Sequence, residues 1–522
     1  MNLIRACIFS LLINSVPSFL FSQGGTDIAL AKADEDFMAF NYVQALEKYK
    51  KIEGKLPNDL LIKRNIITCI LNIHGDKSLA LPYLKVLEGN PQLDDKFYLD
   101  YATICQNVYQ FDSAIALYRK YREKVKPILY PLVDHYIESC ENAKALIKKP
   151  VNIRFENLGP NVNGKYADYY PFVTKDQGTL YFTTRREECM GSLRTMAGYF
   201  SSDVFVSKVQ KGEWQKAKTI QGPVNTGEDD EVVGLSHSGK EMVLYVGNVE
   251  YGSALMHSEM QKNKSWGKPV FFNEPVNTGL AQEREGSYSE DGNTLFFVSS
   301  RKKGLGEADI YFTKKLPNGE WGVPQNAGPN INTPFNEGFP LVSADGKVLS
   351  FSSQGHTGMG GFDIFRSKWD ETKQEWGEAV NVGYPLNTPD DDMMFSLAAN
   401  NRDGYLSAYR PGGFGDLDIY KVIFLDAEKP LTALVGNVRS ADSTKTGIVA
   451  EISITDVKTN SLIETKDVNK ETGRYIFIVE PGEYKIEIQA KGHADYKENI
   501  IVYDKSDFTV ELEKNFKIPL KK

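Results

Sequence analysis

Five carboxylates stand at matching places of a repeated phrase: Asp168, Glu231, Glu285, Glu337 and Asp392, each three residues before the apolar position that opens a repeat unit. If the units are set around an axis, equivalent positions are related by that axis, and the five acids face one mouth of a central channel. There they are able to hold a cation or a basic segment of a partner. Arg185, Arg301 and Arg410 fall at a matching place after the following strand and are natural ion-pair partners. Ion pairing or turn capping within the scaffold is therefore the better-supported reading beside that of a binding ring.

Other constellations carry less. The loops Gly304-Leu-Gly306, Gly358-Met-Gly-Gly361 and Gly412-Gly-Phe-Gly415 resemble phosphate cradles, but they precede strands, so no helix N-terminus points at an anion. His237, His257 and His356 lie in different units without ligand spacing, and neither a Gly-x-Ser-x-Gly elbow nor a His-Glu-x-x-His pair occurs. Beyond Cys7, the cysteines Cys69, Cys105, Cys140 and Cys189 lack the C-x-x-C spacing of zinc or redox sites and read as small buried packing residues. These observations predict no catalytic residue, no cofactor and no metal, hence a chain that is not an enzyme.

The elements that must position these residues follow from a long period. A phrase ending in Asn recurs at Asn163, Asn225, Asn277, Asn332 and Asn387, spaced 62, 52, 55 and 55 residues. Each unit continues with an acid, an apolar run, a Gly turn, a strand such as Thr294-Leu-Phe-Phe-Val298, a Gly-rich loop, and Asp-Ile-Tyr or a relative (Asp203, Asp309, Asp363, Asp418). Trp214, Trp266, Trp321 and Trp376 close four units. Four short alternating runs per period predict four-stranded blades set radially, a β-propeller over 151–425. The last unit lacks its Trp strand, whereas Val151–Leu158 precedes the first asparagine. Residues 151–158 are therefore expected to complete a fifth blade and remove an open sheet edge.

Two flanking regions differ in pattern. Over 26–148, Ala45, Ala80 and Ala114 recur with Pro57, Pro91 and Pro127 at about the tetratricopeptide step, which predicts an α-solenoid of three helix pairs with Leu132–Ile147 as a cap. Its groove would hold a peptide or a partner's helix, or the solenoid would brace the propeller. Over 430–513, alternating runs such as Ala450–Thr455 and Pro481–Ile488 predict a small β-sandwich. Fold class is thus multidomain: α-solenoid, five-bladed β-propeller and small β-sandwich.

Residues 1–22 read as a signal peptide: Arg5, an apolar run from Ala6 to Phe21, and a small Ser22 before Gln23. No later run reaches the length of a membrane helix. A net charge of −8 with no basic stripe disfavours nucleic acid.

With Asn332–Lys347, Gly360-Gly-Phe-Asp-Ile-Phe365 and Thr472-Gly-Arg-Tyr followed by Pro481-Gly-Glu-Tyr in view, the chain resembles a family of Bacteroidetes envelope proteins. That family joins tetratricopeptide repeats, a TolB-like WD-type propeller and a carboxypeptidase-regulatory-like domain, and includes a component of the type IX secretion system. The resemblance implies an exported scaffold or adaptor at the periplasmic face of the outer membrane, binding envelope proteins through the tetratricopeptide groove and the propeller. The alternative is an envelope hydrolase or ligand-binding protein that uses the propeller mouth. Family members carry an OmpA-like domain, expected to be absent here because the sequence ends at Lys522, so peptidoglycan contact is not carried over.

Overall fold

The computed structural model describes residues 25–521, apart from 91–93, 192–194, 196, 249–251, 344–345, 399–401, 427–430, 443–447 and 504–510. The segment 1–22, its cleavage point, Cys7 and Pro91 lie outside the described residues. Among the described residues no helix is long and apolar enough to cross a membrane.

Seven α-helices come first: α1 (Gly25–Met38), α2 (Tyr42–Glu53), α3 (Leu60–Asn72), α4 (Leu81–Leu87), α5 (Lys96–Asn107), α6 (Phe111–Arg122) and α7 (Tyr130–Leu146). In α2, Ala45, Leu46, Tyr49 and Ile52 fall on one face and are buried, while the Asn41 side chain accepts from the Gln44 N–H to start the helix. Asp59 caps α3 in the same way through Ile62.

The expected tetratricopeptide α-solenoid is not upheld. The chain is 37% strand and 20% helix, and no solenoid of that type is evident. The helix α4 has only seven residues and follows a one-turn 3-10 segment, Lys77–Ala80, so the second unit lacks a full helix pair. The buried side chains form two clusters rather than one continuous core, and the second is completed by Met359 from the β region. The helices pack mainly on their neighbours in sequence, and the second cluster also meets the β region. Cys69, Cys105, Cys140 and Cys189 are free and buried.

The β region is propeller-like. The strand β1 (Ile153–Asn157) is followed by β2 (Asp168–Val173), β3 (Thr179–Thr184), β4 (Asp203–Gln210), β5 (Glu213–Trp214) and β6 (Lys218–Thr219). Next come β7 (Asp229–Leu235), β8 (Glu241–Asn248), β9 (Gly252–Glu259) and β10 (Val270–Phe271), then β11 (Glu283–Tyr288), β12 (Thr294–Ser299), β13 (Asp309–Lys314) and β14 (Gln325–Asn326). They are followed by β15 (Glu337–Val342), β16 (Val348–Ser353), β17 (Asp363–Asp370), β18 (Glu375–Trp376) and β19 (Val380–Asn381), and by β20 (Ser396–Leu397), β21 (Asp403–Ala408) and β22 (Asp418–Phe424). These strands make five antiparallel sheets, ordered β2 to β5, β7 to β10, β11 to β14, β15 to β18, and β20-β21-β22-β1. In the last sheet β1 pairs with β22, Ile153 opposite Phe424 and Asn157 opposite Tyr420, so the first and last segments of the region share one sheet. The inner strands pack in sequence, β2 on β7, β7 on β11 and β11 on β15, and Ser396 Oγ of β20 donates to the Pro171 carbonyl of β2 across the closure.

Two of the tryptophans join neighbouring sheets. Trp266 packs edge-on to Tyr181 of β3, and Trp376 to Phe296 of β12. The repeated asparagines act as backbone mimics. Asn332 Oδ1 accepts from the Ile310 N–H at 2.8 Å and its Nδ2 donates to the Ile310 carbonyl at 2.9 Å. Asn163 clamps Ile419, Asn225 clamps Val204, Asn277 clamps Leu255 and Asn387 clamps Ile364 in the same two-bond manner. Each asparagine thus ties the start of one sheet to the third strand of the sheet before it.

The C-terminal unit has two sheets around one core. The strands β23 (Thr432–Ser440), β24 (Ala450–Asp456), β25 (Leu462–Asp467), β26 (Arg474–Val479), β27 (Gly482–Ala490), β28 (Tyr496–Val502), β29 (Glu511–Glu513) and β30 (Phe516–Ile518) form β26-β23-β29, with β30 also on β23, and β25-β24-β27-β28. Leu434, Ile452, Phe477, Ile486 and Phe516 meet between them, as the alternation of buried and exposed positions along β26 requires.

The helical layer lies on the loops at one end of the β region. His74 Nδ1 meets Asp416 Oδ1 at 2.5 Å, His135 Nε2 meets the Gln354 carbonyl at 2.7 Å, and Gln106 Nε2 donates to the Met359 carbonyl at 3.1 Å. Asn41 lies so close to Gly198 that a Cβ there would come within 2.4 Å of its Oδ1.

Candidate functional site

The structure divides the five sequence-selected acids. Asp168, Glu337 and Asp392 are equivalent: each opens or precedes an inner strand and accepts from the loop after a repeated asparagine. The donors are the Gly164 N–H (2.7 Å), the Thr333 N–H (2.9 Å) and the Thr388 N–H, respectively. In the other two sheets that place belongs to Asp230, which accepts from the Thr226 N–H, and Glu283, which accepts from the Thr278 hydroxyl at 3.2 Å. Counting back from the apolar position misses by one in the second sheet and by two in the third. The loop from Asn277 to Glu283 is one residue longer than its counterparts, whereas a bulge recurs in the inner strands of the first four sheets alike. The equivalent acids are loop caps, and burial lifts Glu337 to about 8, Asp230 to about 7 and Asp392 well above the usual carboxylate range.

The basic partners are re-sorted in the same way. Arg186, which the sequence reading passed over, pairs with Asp168 at 2.5 Å and donates to the Val162 carbonyl. Arg301 pairs with Glu283 at 3.4 Å and donates to the Val276 carbonyl. Arg410 lies 3.5 Å over the ring of Phe155 and donates to the Pro385 carbonyl. His356 fills the place in the fourth sheet, its Nε2 2.9 Å from the Ile331 carbonyl. A frame of Arg or His after the second strand and a carbonyl one or two residues before the asparagine would have exposed this pattern in the sequence.

The Gly-rich loops are held by the Asp of the Asp-Ile-Tyr phrase. Asp309 accepts from the N–H groups of Leu305 and Gly306, and Asp363 from those of Met359 and Gly360. A Cβ at Gly358 would stand 2.2 Å from Asp363 Oδ2, which is why glycine recurs there without a phosphate. Among the described residues no group of three or more His, Cys, Asp or Glu side chains is placed to hold a metal ion.

Glu231 and Glu285 have a different place, in the channel between the inner strands. Tyr169 Oη donates to Glu231 at 2.5 Å, and Arg185 reaches the same carboxylate at 3.2 Å and Asp229 at 3.1 Å. Burial raises the pKa of Glu231, and the Arg185 charge partly offsets it. Tyr170 Oη donates to Glu285 at 3.3 Å, and the Phe339 N–H supplies a second bond. Burial raises the pKa of Glu285 too.

Beside these acids the channel is apolar. A small hollow of about 20 Å³, room for one water-sized molecule, is lined by Tyr170, Phe172, Val233, Phe339, Met394 and Phe395 with neighbouring residues of the same strands. Tyr170, Phe339 and Met394 occupy one equivalent position with φ of 54°, 53° and 60°, and Glu285 occupies it in the third sheet with φ 32°. A left-handed backbone at a non-glycine residue costs about 1–3 kcal/mol and recurs at ligand clamps. Here it turns four side chains toward the axis. The cavity lies along the strands toward the hairpin turns, away from the loops that carry the helical layer. Sequence reasoning found Glu285 but not the aromatic wall, because an inner-strand Tyr or Phe reads as ordinary core.

No protein-family model matches the chain, and no curated protein matches it. Solved structures similar to it include an α-L-arabinofuranosidase from Podospora anserina in complex with cellotriose, 13% identical, over 52% of this chain and 97% of that one, with a TM-score of 0.35. A periplasmic gluconolactonase from Pseudomonas aeruginosa is 14% identical over 60% and 88% of the two chains, with a TM-score of 0.27. A further match is GH43B, a Bacteroides ovatus xyloglucan-locus protein, 12% identical over 66% and 80%, with a TM-score of 0.26. The expectation that the chain is not an enzyme is not upheld, since the matched structures include enzymes. What the chain has in common with them is a β-propeller-like fold.

Proposed function

We propose that the chain is an exported ligand-binding protein of the bacterial envelope, and that its propeller channel holds the ligand. The apolar wall of Tyr170, Phe172, Phe339, Met394 and Phe395 around the hollow between the inner strands carries this reading. Binding sites for small molecules are concave and mainly apolar, with a few polar groups. The left-handed positions of Tyr170, Phe339 and Met394 support it, since aiming three large side chains at an axis costs backbone energy that packing alone would avoid. The helical layer fixes the loops at the opposite end, which leaves the hairpin-turn end as the route of access. Export rests on the charged and apolar order of Arg5 to Ser22, and the resemblance to envelope proteins with a role in type IX secretion agrees with it.

Native mass spectrometry and ligand-observed NMR of purified protein against a library of small metabolites test the reading. Hits displaced by Val233→Trp, which fills the cavity, support it. A library that gives the same spectrum with wild type and V233W refutes it, and a hit that is cleaved rather than held assigns the channel to a hydrolase.

A further inference from the structure

Four carboxylates crowd the seam between the first and second sheets: Asp203 at the start of β4, and Asp229, Asp230 and Glu231 at the start of β7. The Asp230 N–H donates to the Ser202 carbonyl at 2.8 Å, and the Ser202 N–H and hydroxyl both donate to Asp229, so the two strand starts lie side by side. Among the described residues one cation reaches this group, Arg185, and it pairs with Asp229 and Glu231. Asp168 has Arg186 and Glu283 has Arg301, but the matching stretch of the second sheet, Val246 to Glu250, holds no Arg, Lys or His. Asp203 and Asp230 therefore lack a counter-charge among the described residues.

Both are sealed from water, Asp203 fully buried and Asp230 1% exposed. Each is half satisfied. Asp203 Oδ2 accepts from the Met190 N–H at 2.8 Å, and Asp230 Oδ2 accepts from the Thr226 hydroxyl at 2.8 Å and from the Thr226 N–H. Oδ1 of each is buried and has no donor. Two neighbouring carboxylates cannot both ionise cheaply in such a place. One proton between the two bare oxygens makes one carboxyl a donor and the other its acceptor, which satisfies both.

We propose that Asp203 and Asp230 hold one proton between them and that it locks the first sheet to the second, so that the seam loosens when pH rises and the proton is lost. Burial lifts Asp203 to about 6 and Asp230 to about 7, in keeping with this. The unfolded chain releases such a proton near 3.9, so the folded form binds more protons between about 3.9 and about 7. Stability from the pair is complete below that lower value and falls as pH rises through about 7. Of the other groups that face the pair, Cys189, pushed up to about 12 by burial, stays neutral, and Asp229 and Glu231 share the one charge of Arg185.

Asparagine at either place tests the lock, because its Oδ1 keeps the accepted bonds and its Nδ2 supplies a permanent donor where the proton stood. In the full chain, Asp203→Asn and Asp230→Asn are each expected to melt about 3 °C or more above wild type at about pH 8.5, and within about 1 °C of it at about pH 5. Infrared spectra at about pH 6 should lose the same neutral-carboxyl band in either single variant, and no more in the double variant. A band retained in D203N would put the proton on Asp230 alone and overturn the sharing. Variants that melt at or below wild type at the higher pH, or that fail to fold, overturn the lock, since asparagine supplies at both pH values what the proton supplies only at the lower one. Calcium or magnesium that brings wild type up to the variants at the higher pH, reversed by EDTA, would show a metal cation in the proton's place and overturn it as well.

Discussion

Replacing Asn332 by Ala tests the view that the repeated asparagines hold the sheets together. Asn332 is 1% exposed and Ile310 is fully buried, so water does not replace the lost bonds. The substitution removes one bond to the Ile310 N–H and one to its carbonyl, together with the bond from Nδ2 to Asn326 Oδ1. A buried backbone group left without a partner costs about 1–3 kcal/mol. The Ile310 carbonyl keeps the Ala327 N–H at 3.0 Å, so the one N–H left bare predicts a loss of about 1–3 kcal/mol, a fall in the propeller's melting temperature of roughly 2–12 °C on the usual scaling for domains of this size. Thermal unfolding followed by tryptophan fluorescence reads it, with Asn318→Ala as the control, because Asn318 bonds only within its own exposed turn. Asn332→Asp should fall between, since it keeps the acceptor for the Ile310 N–H but sets a carboxylate oxygen against the Ile310 carbonyl. A melting temperature for N332A within about 1 °C of that for N318A, less than about 0.5 kcal/mol on the same scaling, would show that the clamp contributes nothing and refute the reasoning.

Three further outcomes follow from the same structure. Lys421 and Asp403 form a buried pair at 2.7 Å, so Lys421→Met should cost about 3–5 kcal/mol in a denaturant titration, while the double change of both partners to apolar residues should recover most of it. Gly306→Ala would place a Cβ 1.8 Å from the Phe335 carbonyl oxygen and should cost about 1–3 kcal/mol, whereas Gly412→Ala, with open space around it but φ of 86°, should cost only the smaller left-handed penalty. Burial lifts Glu337 to about 8, so the folded protein keeps a proton that the unfolded chain releases near 4.3. Stability from this group is present below that lower value and falls as pH rises toward about 8; Glu337→Gln should flatten the melting temperature between those limits, and an unchanged profile would place the proton elsewhere.

The sequence by itself determined the propeller-like repeat. A strand, a Gly turn, an Asp that holds a loop and an Asn that clamps the preceding sheet are local devices, so each leaves residues at a fixed spacing. Asn163 to Asn387 recur because every sheet needs the same two bonds to its neighbour. The acids were legible as a set but not in register, since only one or two residues separate a loop cap from its inner-strand neighbour, as with Glu231 beside Asp230 and Glu285 near Glu283. Tertiary structure alone decided the helical layer: a step near 35 residues spaces the helices, yet Met359 from the β region completes their core and the loops of three sheets receive them. It alone decided the channel as well. Tyr170, Phe339 and Met394 lie 169 and 55 residues apart and meet at one axis only because their strands close in a ring and their left-handed backbone aims them inward.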